Sequence, residues 1–113
     1  MLIEHEKNGS VDTVTLTGEL VMSSCAEIRT RIQKIVTSGN GHLVLDLAAV
    51  PFMDSSGLSV LVSVLKEVRK KQGRMVLCHV APEVRALLEL TRLHQVFKIH
   101  DDQDTAISQL SAA

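Results

Sequence analysis

Residues 43–73 read LVLDLAAVPFMDSSGLSVLVSVLKEVRKKQG, and this stretch decides the fold. Leu43 to Leu47 is nearly continuous in apolar residues and is interrupted only by Asp46, the pattern of a central strand covered on both faces. A loop of small and capping residues follows. From about Ser56 to Lys71 the period changes: Leu58, Leu61, Val62, Leu65 and Val68 form a helical stripe, widened on one side by Val60 and Val64. Gly73 lies just past the last turn, where helices commonly stop. A buried strand that feeds a helix is the repeating unit of an α/β sheet.

The same reading extends in both directions. Upstream, Leu2 to Lys7 and Val11 to Thr17 are strand-like runs separated by Asn8-Gly9, a tight-turn pair that predicts an antiparallel hairpin. In the second run Val14 and Leu16 alternate with Thr13, Thr15 and Thr17, as in a strand with one buried face. Ser24-Cys25-Ala26-Glu27 has the form of a capping box that opens a helix. That helix carries Ile28, Ile32, Ile35 and Val36 and stops at Ser38-Gly39-Asn40-Gly41. Downstream, Met75 to Val80 predicts another buried strand, and Pro82 opens a helix with Val84, Leu87 and Leu88. Val96 to Ile99 predicts a short last strand, and Asp101 to Leu110 a final helix with its acidic residues at the N-terminal end. The order is ββαβαβαβα. It predicts an α/β fold of one domain over residues 1–113, with a mixed, mostly parallel sheet of about five strands, right-handed crossovers and four helices.

Composition narrows the function. The 113 residues carry 12 basic and 13 acidic side chains, a net charge of −1, which leaves no electrostatic footprint for nucleic acid. Two Phe, no Tyr and no Trp mean an aliphatic core and little stacking surface for bases or sugars. Cys25 and Cys78 form no CxxC pair and fit a reducing compartment. No leader-like N-terminus or stretch of membrane-spanning length is present, so the expected location is the cytoplasm, without membrane insertion.

The candidate site is the loop Phe52-Met53-Asp54-Ser55-Ser56-Gly57-Leu58, at the C-terminal end of a parallel strand, where open α/β sheets place their ligand sites. Asp54 and Ser55 are both candidate helix caps. Opposite the apolar stripe the helix presents Ser56, Ser59 and Ser63 before Lys66, Glu67 and Lys70. An ordinary solvent face favours long charged side chains of better helix propensity. Serines over two turns let the backbone of another protein approach closely. A phosphoryl group on Ser55 would meet helix N–H donors and a favourable dipole, with the charges of Asp54 and Asp46 against it.

Asp54-Ser55-Ser56-Gly57-Leu58, preceded by Phe52-Met53, resembles the signature loop of the STAS domains of bacterial anti-sigma factor antagonists. Leu16-Thr17-Gly18-Glu19-Leu20 resembles their other short motif, Val44-Leu45-Asp46-Leu47 their central strand, and Gly73-Arg74-Met75-Val76-Leu77 the next strand. The resemblance implies a non-enzymatic protein that binds an anti-sigma factor, itself a serine kinase. Ser55 is then the phosphoacceptor whose modification releases the complex, and a phosphatase acting on phosphorylated Ser55 restores binding. The loop and the serine face together, Asp54, Ser55, Ser56, Gly57, Ser59 and Ser63, form the expected partner-binding surface, with Asp46 and Gly18, the latter a bulge or point of close backbone approach, supporting the switch site. Two positions depart from the family: Val21, where Asp is frequent, and Thr91-Arg92-Leu93, where a Gly is usual. The alternative within the family is an adaptor for another partner, such as the ATPase of a lipid-transport complex.

Catalysis and cofactors are not expected. His5, His42, His79, His94 and His100 stand in no catalytic context, and no G-x-S-x-G surrounds Ser55. Neither H-x-x-x-H nor Cys/His spacing points to a metal, and no G-x-G-x-x-G or phosphate loop points to a nucleotide.

Overall fold

A computed structural model describes residues 1–111 of the chain. The hairpin forms as expected: β1 (Leu2–Asn8) pairs antiparallel with β2 (Val11–Thr17) through the turn at Asn8-Gly9. Then follow α1 (Met22–Ser38), β3 (His42–Ala49), α2 (Ser55–Lys70), β4 (Met75–Cys78), α3 (Pro82–Leu90), a 3-10 turn at Leu93–Gln95, β5 (Lys98–His100) and α4 (Gln103–Ser111). The five strands lie in chain order, with β2 to β5 all parallel. Sequential order with right-handed crossovers places α1, α2 and α3 on one face of the sheet. Leu43, Leu45 and Leu47 join the buried residues of those helices, whereas Val44 packs with Val76, Ala106 and Leu110 under α4. Among the described residues no helix is long and apolar enough to cross a membrane.

Five local expectations are corrected. β2 is buried on both sides over its first half, since Val11 and Thr13 on one face are as covered as Asp12 and Val14 on the other. The reason is α4, which covers the face that the threonines were expected to give to water. α1 begins two residues before Ser24; Val21 is its N-cap residue and has no side-chain acceptor. Ser24 works from inside the first turn, where its Oγ accepts from Val21 N–H at 3.2 Å. On α2, Val60 and Val64 are fully buried while Val62 is only half-buried, so the core stripe is rotated toward the former. The last strand starts at Lys98, because Val96 and Phe97 follow the 3-10 turn, and α4 starts at Gln103, its first turn capped by Asp102 Oδ1 accepting from Thr105 N–H at 2.7 Å. At the other departure from the family, Arg92 takes the left-handed conformation with φ of 62°, so the turn is kept at the cost of mild strain.

Both cysteines are buried and unpaired. Burial pushes the Cys78 thiol up to about 12, and the charges of Asp46 and Asp102 add to this. Cys25 moves the same way, through burial first and then Asp54.

Candidate functional site

Two chain segments build the site, and hydrogen bonds zip them together. The residues after β2 run beside the residues after β3. Gly18 N–H donates to the Ala49 carbonyl at 3.0 Å, Leu20 N–H to Phe52 at 3.1 Å, and Asp54 N–H to Leu20 at 3.3 Å. Leu20 and Met53 form a parallel bridge between them. The register of β2 on β3 shifts after Thr15, and Gly18 sits just beyond with φ of 120°, a conformation that side chains with a Cβ rarely adopt. The L-T-G-E-L run therefore positions the D-S-S-G-L run; the two motifs are halves of one construction.

Asp54 locks it. Its Oδ1 accepts from Ser56 N–H at 2.9 Å and Gly57 N–H at 3.2 Å, the N-cap bonds of α2. Its Oδ2 accepts from Met22 N–H at 3.3 Å, at the start of α1. One carboxylate thus ties the first turns of two helices. Ser55 is the first helical residue, exposed, and takes no part in the cap, which corrects its reading as a candidate cap. The donors expected to meet a phosphoryl group on Ser55 are also altered: the Ser56 and Gly57 N–H groups are already engaged by Asp54.

Two further site expectations change. Gly57 is buried and presents nothing to a partner; an added Cβ would stand 2.6 Å from the Leu20 carbonyl oxygen and 2.9 Å from Met53 Cβ. Asp46, expected beside the switch serine, points to the α4 face of the sheet, alternating with Leu45 and Leu47 of the main core. There its Oδ1 accepts from Ala48 N–H at 2.9 Å, and its Oδ2 meets His79 Nδ1 and Gln103 Nε2, each at 3.1 Å.

The serine face of α2 is brought together as read from the sequence. Ser59 is exposed and its Oγ donates to the Ser55 carbonyl at 3.2 Å; Ser56 and Ser63 are half-buried. Ser59, Val62, Ser63 and Lys66 line a shallow depression closed on one side by Leu93. Sequence reasoning missed two exposed apolar residues close to Asp54 in the chain or by hydrogen bond. Met22 is 77% exposed and Phe52 44% exposed, and both flank Asp54, one by chain contact with the Leu20 zipper and one through its N–H bond. Phe52 carried a usable signal, as one of only two aromatics in the chain, placed in a loop.

A family model for the STAS domain matches residues 3–106. The anti-sigma F factor antagonist of Paenibacillus polymyxa is 34% identical over 109 residues, which cover 96% of this chain and 93% of that protein. A solved anti-sigma factor antagonist from Mycobacterium paratuberculosis is 26% identical, with a TM-score of 0.88 over 97% of this chain and 93% of its own. The Bacillus cell fate determinant SpoIIAA in its phosphorylated form is 22% identical, with a TM-score of 0.75 over 96% of this chain and 98% of its own, a likeness of fold.

Proposed function

This chain belongs to the STAS-domain family, and from that premise we propose that it is an anti-sigma factor antagonist. In this reading it binds an anti-sigma factor that is also a serine kinase, and so frees a sigma factor. Phosphorylation of Ser55 by that kinase ends the binding, and a phosphatase reverses it. The observation that carries the reading is the placement of Ser55: exposed at the first position of α2, free of capping duty, directly after Asp54 and at the head of the serine face.

The physical chemistry supports a switch. A phosphoryl group brings about −1.5 to −2 charges at neutral pH. Here it would stand beside the Asp54 carboxylate, and the Ser56 and Gly57 N–H donors of the first turn are taken. The added charge stays uncompensated, so a partner that must desolvate this surface loses affinity. The fold itself can carry the group, since Asp54 and not Ser55 holds the helix start.

Incubation with the cognate kinase and ATP is expected to add one phosphoryl group, mapped by peptide mass spectrometry to Ser55. Recovery of the group on Ser56 would move the switch one residue. A complex that forms with neither serine modified would leave a STAS adaptor without the switch.

The docking face is tested separately. Ser59→Arg and Ser63→Arg place a long cation on the serine face, and each is expected to weaken the complex by at least about tenfold, or about 1.4 kcal/mol. Because both positions lie outside the core stripe, melting temperature should stay nearly constant. Unchanged affinity in both variants would place the interface elsewhere.

A further inference from the structure

We propose that Asp46, Cys78 and His79 form a binding site for a borderline-soft divalent cation of the Zn2+ type, on the α4 face of the sheet and apart from the Ser55 loop. The three residues come from the C-terminal ends of the two central strands. One carboxylate oxygen of Asp46, Cys78 Sγ and one ring nitrogen of His79 all lie within 4.8 Å of one another. Asp46 and Cys78 are registered side by side on neighbouring strands, so their side chains share one face. His100 of β5 is registered beside Cys78 on the other side but stands outside the three-residue cluster, so water supplies the fourth donor.

The geometry is close to what the ion requires. Zn–N and Zn–O bonds of about 2.0–2.2 Å at a tetrahedral angle set the two ligand atoms about 3.3 Å apart. His79 Nδ1 and Asp46 Oδ2 are 3.1 Å apart. A Zn–S bond of about 2.3 Å asks for the sulfur at about 3.5 Å from each of the other two atoms, so Cys78 Sγ, within 4.8 Å of both, closes in by a side-chain adjustment of about 1 Å or less when the ion enters. Asp46 is also held as metal-binding carboxylates commonly are. Ala48 N–H occupies Oδ1 and Gln103 Nε2 donates to Oδ2, which leaves a second lone pair of Oδ2 toward His79. An entering cation replaces the His79 hydrogen bond and the Cys78 S–H proton, which is released to solvent, and leaves the other two hydrogen bonds of Asp46 in place.

The donor set selects the ion. Thiolate, imidazole and one carboxylate suit Zn2+ and its neighbours, whereas Ca2+ and Mg2+ prefer cages of oxygen. The backbone of His79 adds to the case. It takes a left-handed conformation with φ of 52°, one that His adopts more readily than most residues, and in it the imidazole meets Asp46. Linear spacing conceals the site, because Asp46 comes from β3 and the other two residues from the end of β4.

Cobalt is the probe. Titration of the metal-free protein with Co2+ is expected to give a thiolate-to-cobalt absorption band in the near ultraviolet, with one ion per chain and displacement by Zn2+. Zn2+ is expected to bind with micromolar or tighter affinity by calorimetry and to raise the melting temperature of the wild-type chain. Cys78→Ser should abolish the band and lower affinity by at least about tenfold. Cys25→Ser should keep both, since Cys25 lies in the helix-covered core on the other face. Absence of the band in the wild-type protein would overturn the proposal, a result that depends on no variant folding. So would a band that survives Cys78→Ser or is lost in Cys25→Ser.

Discussion

Gly57→Ala is expected to lower the stability of this domain by about 2 kcal/mol, and to weaken partner binding only through that loss. Two terms oppose each other. Alanine is a better helix former than glycine by about 0.8–1.0 kcal/mol. Overpacking a tight site costs about 1–3 kcal/mol, and a clash with fixed backbone puts Gly57 at the upper end, which leaves a net loss of about 2 kcal/mol. The new Cβ would stand 2.6 Å from the Leu20 carbonyl oxygen, closer than real Cβ contacts come. That carbonyl is backbone, and it is pinned: it accepts from Asp54 N–H, while Leu20 N–H donates to Phe52. It cannot yield as a side chain would, so the overpacking term wins. For a domain of about 100 residues, each kcal/mol shifts the melting temperature by about 4–8 °C, so a fall of roughly 10 °C is expected. Urea unfolding and partner titration on the same sample check it. A variant of wild-type stability that no longer binds would return Gly57 to the list of partner contacts.

The reading of Gly57 illustrates what was legible in the sequence and what was not. The element order and the hairpin could be read because each rests on a local pattern: the 2-residue and 3.6-residue periods and the Asn8-Gly9 turn. Boundaries moved where a cap was ambiguous. Ser24 has the residue type of an N-cap yet acts from the first turn, because the chain enters α1 along a path fixed by the zipper to Phe52 and Asp54. Ser55 and Asp54 are both good cap residues, and the sequence alone does not choose between them. Geometry does, since only Asp54 reaches Ser56, Gly57 and Met22 together. The role of Asp46 was hidden for a different reason. Its near neighbours in sequence lead to Ser55, but strand alternation turns its carboxylate to the opposite face, toward residues 33 and 57 positions away in the chain. The serine stripe, by contrast, is a property of one helix, and one helix can be read from its own sequence.

Ser55→Ala is expected to leave stability within about 0.5 kcal/mol of wild type, and this makes the switch experiment clean. The sequence reading assigned Ser55 a share in the cap, whose loss would cost about 0.5–2 kcal/mol. With the cap on Asp54 that penalty disappears. The alanine form should bind the kinase partner as wild type does and should keep it when ATP is added, because the acceptor oxygen is gone. Ser55→Asp tests the charge. At the first position of α2 a carboxylate gains about 0.3–1 kcal/mol from the helix dipole. Repulsion from Asp54 offsets part of this, so the variant should fold normally. In the complex the same carboxylate must be desolvated next to Asp54, with the Ser56 and Gly57 N–H groups already engaged. A loss of at least about tenfold in affinity, or about 1.4 kcal/mol, is expected, and true phosphorylation, with its larger charge, should exceed it. Titration calorimetry on the three forms, with and without ATP, reads all of this at once. Equal affinities throughout, with no effect of ATP on the wild type, would sink the switch and leave a constitutive STAS adaptor. Loss of binding in the alanine form would mean that the hydroxyl itself is a contact, and that charge is not what releases the partner.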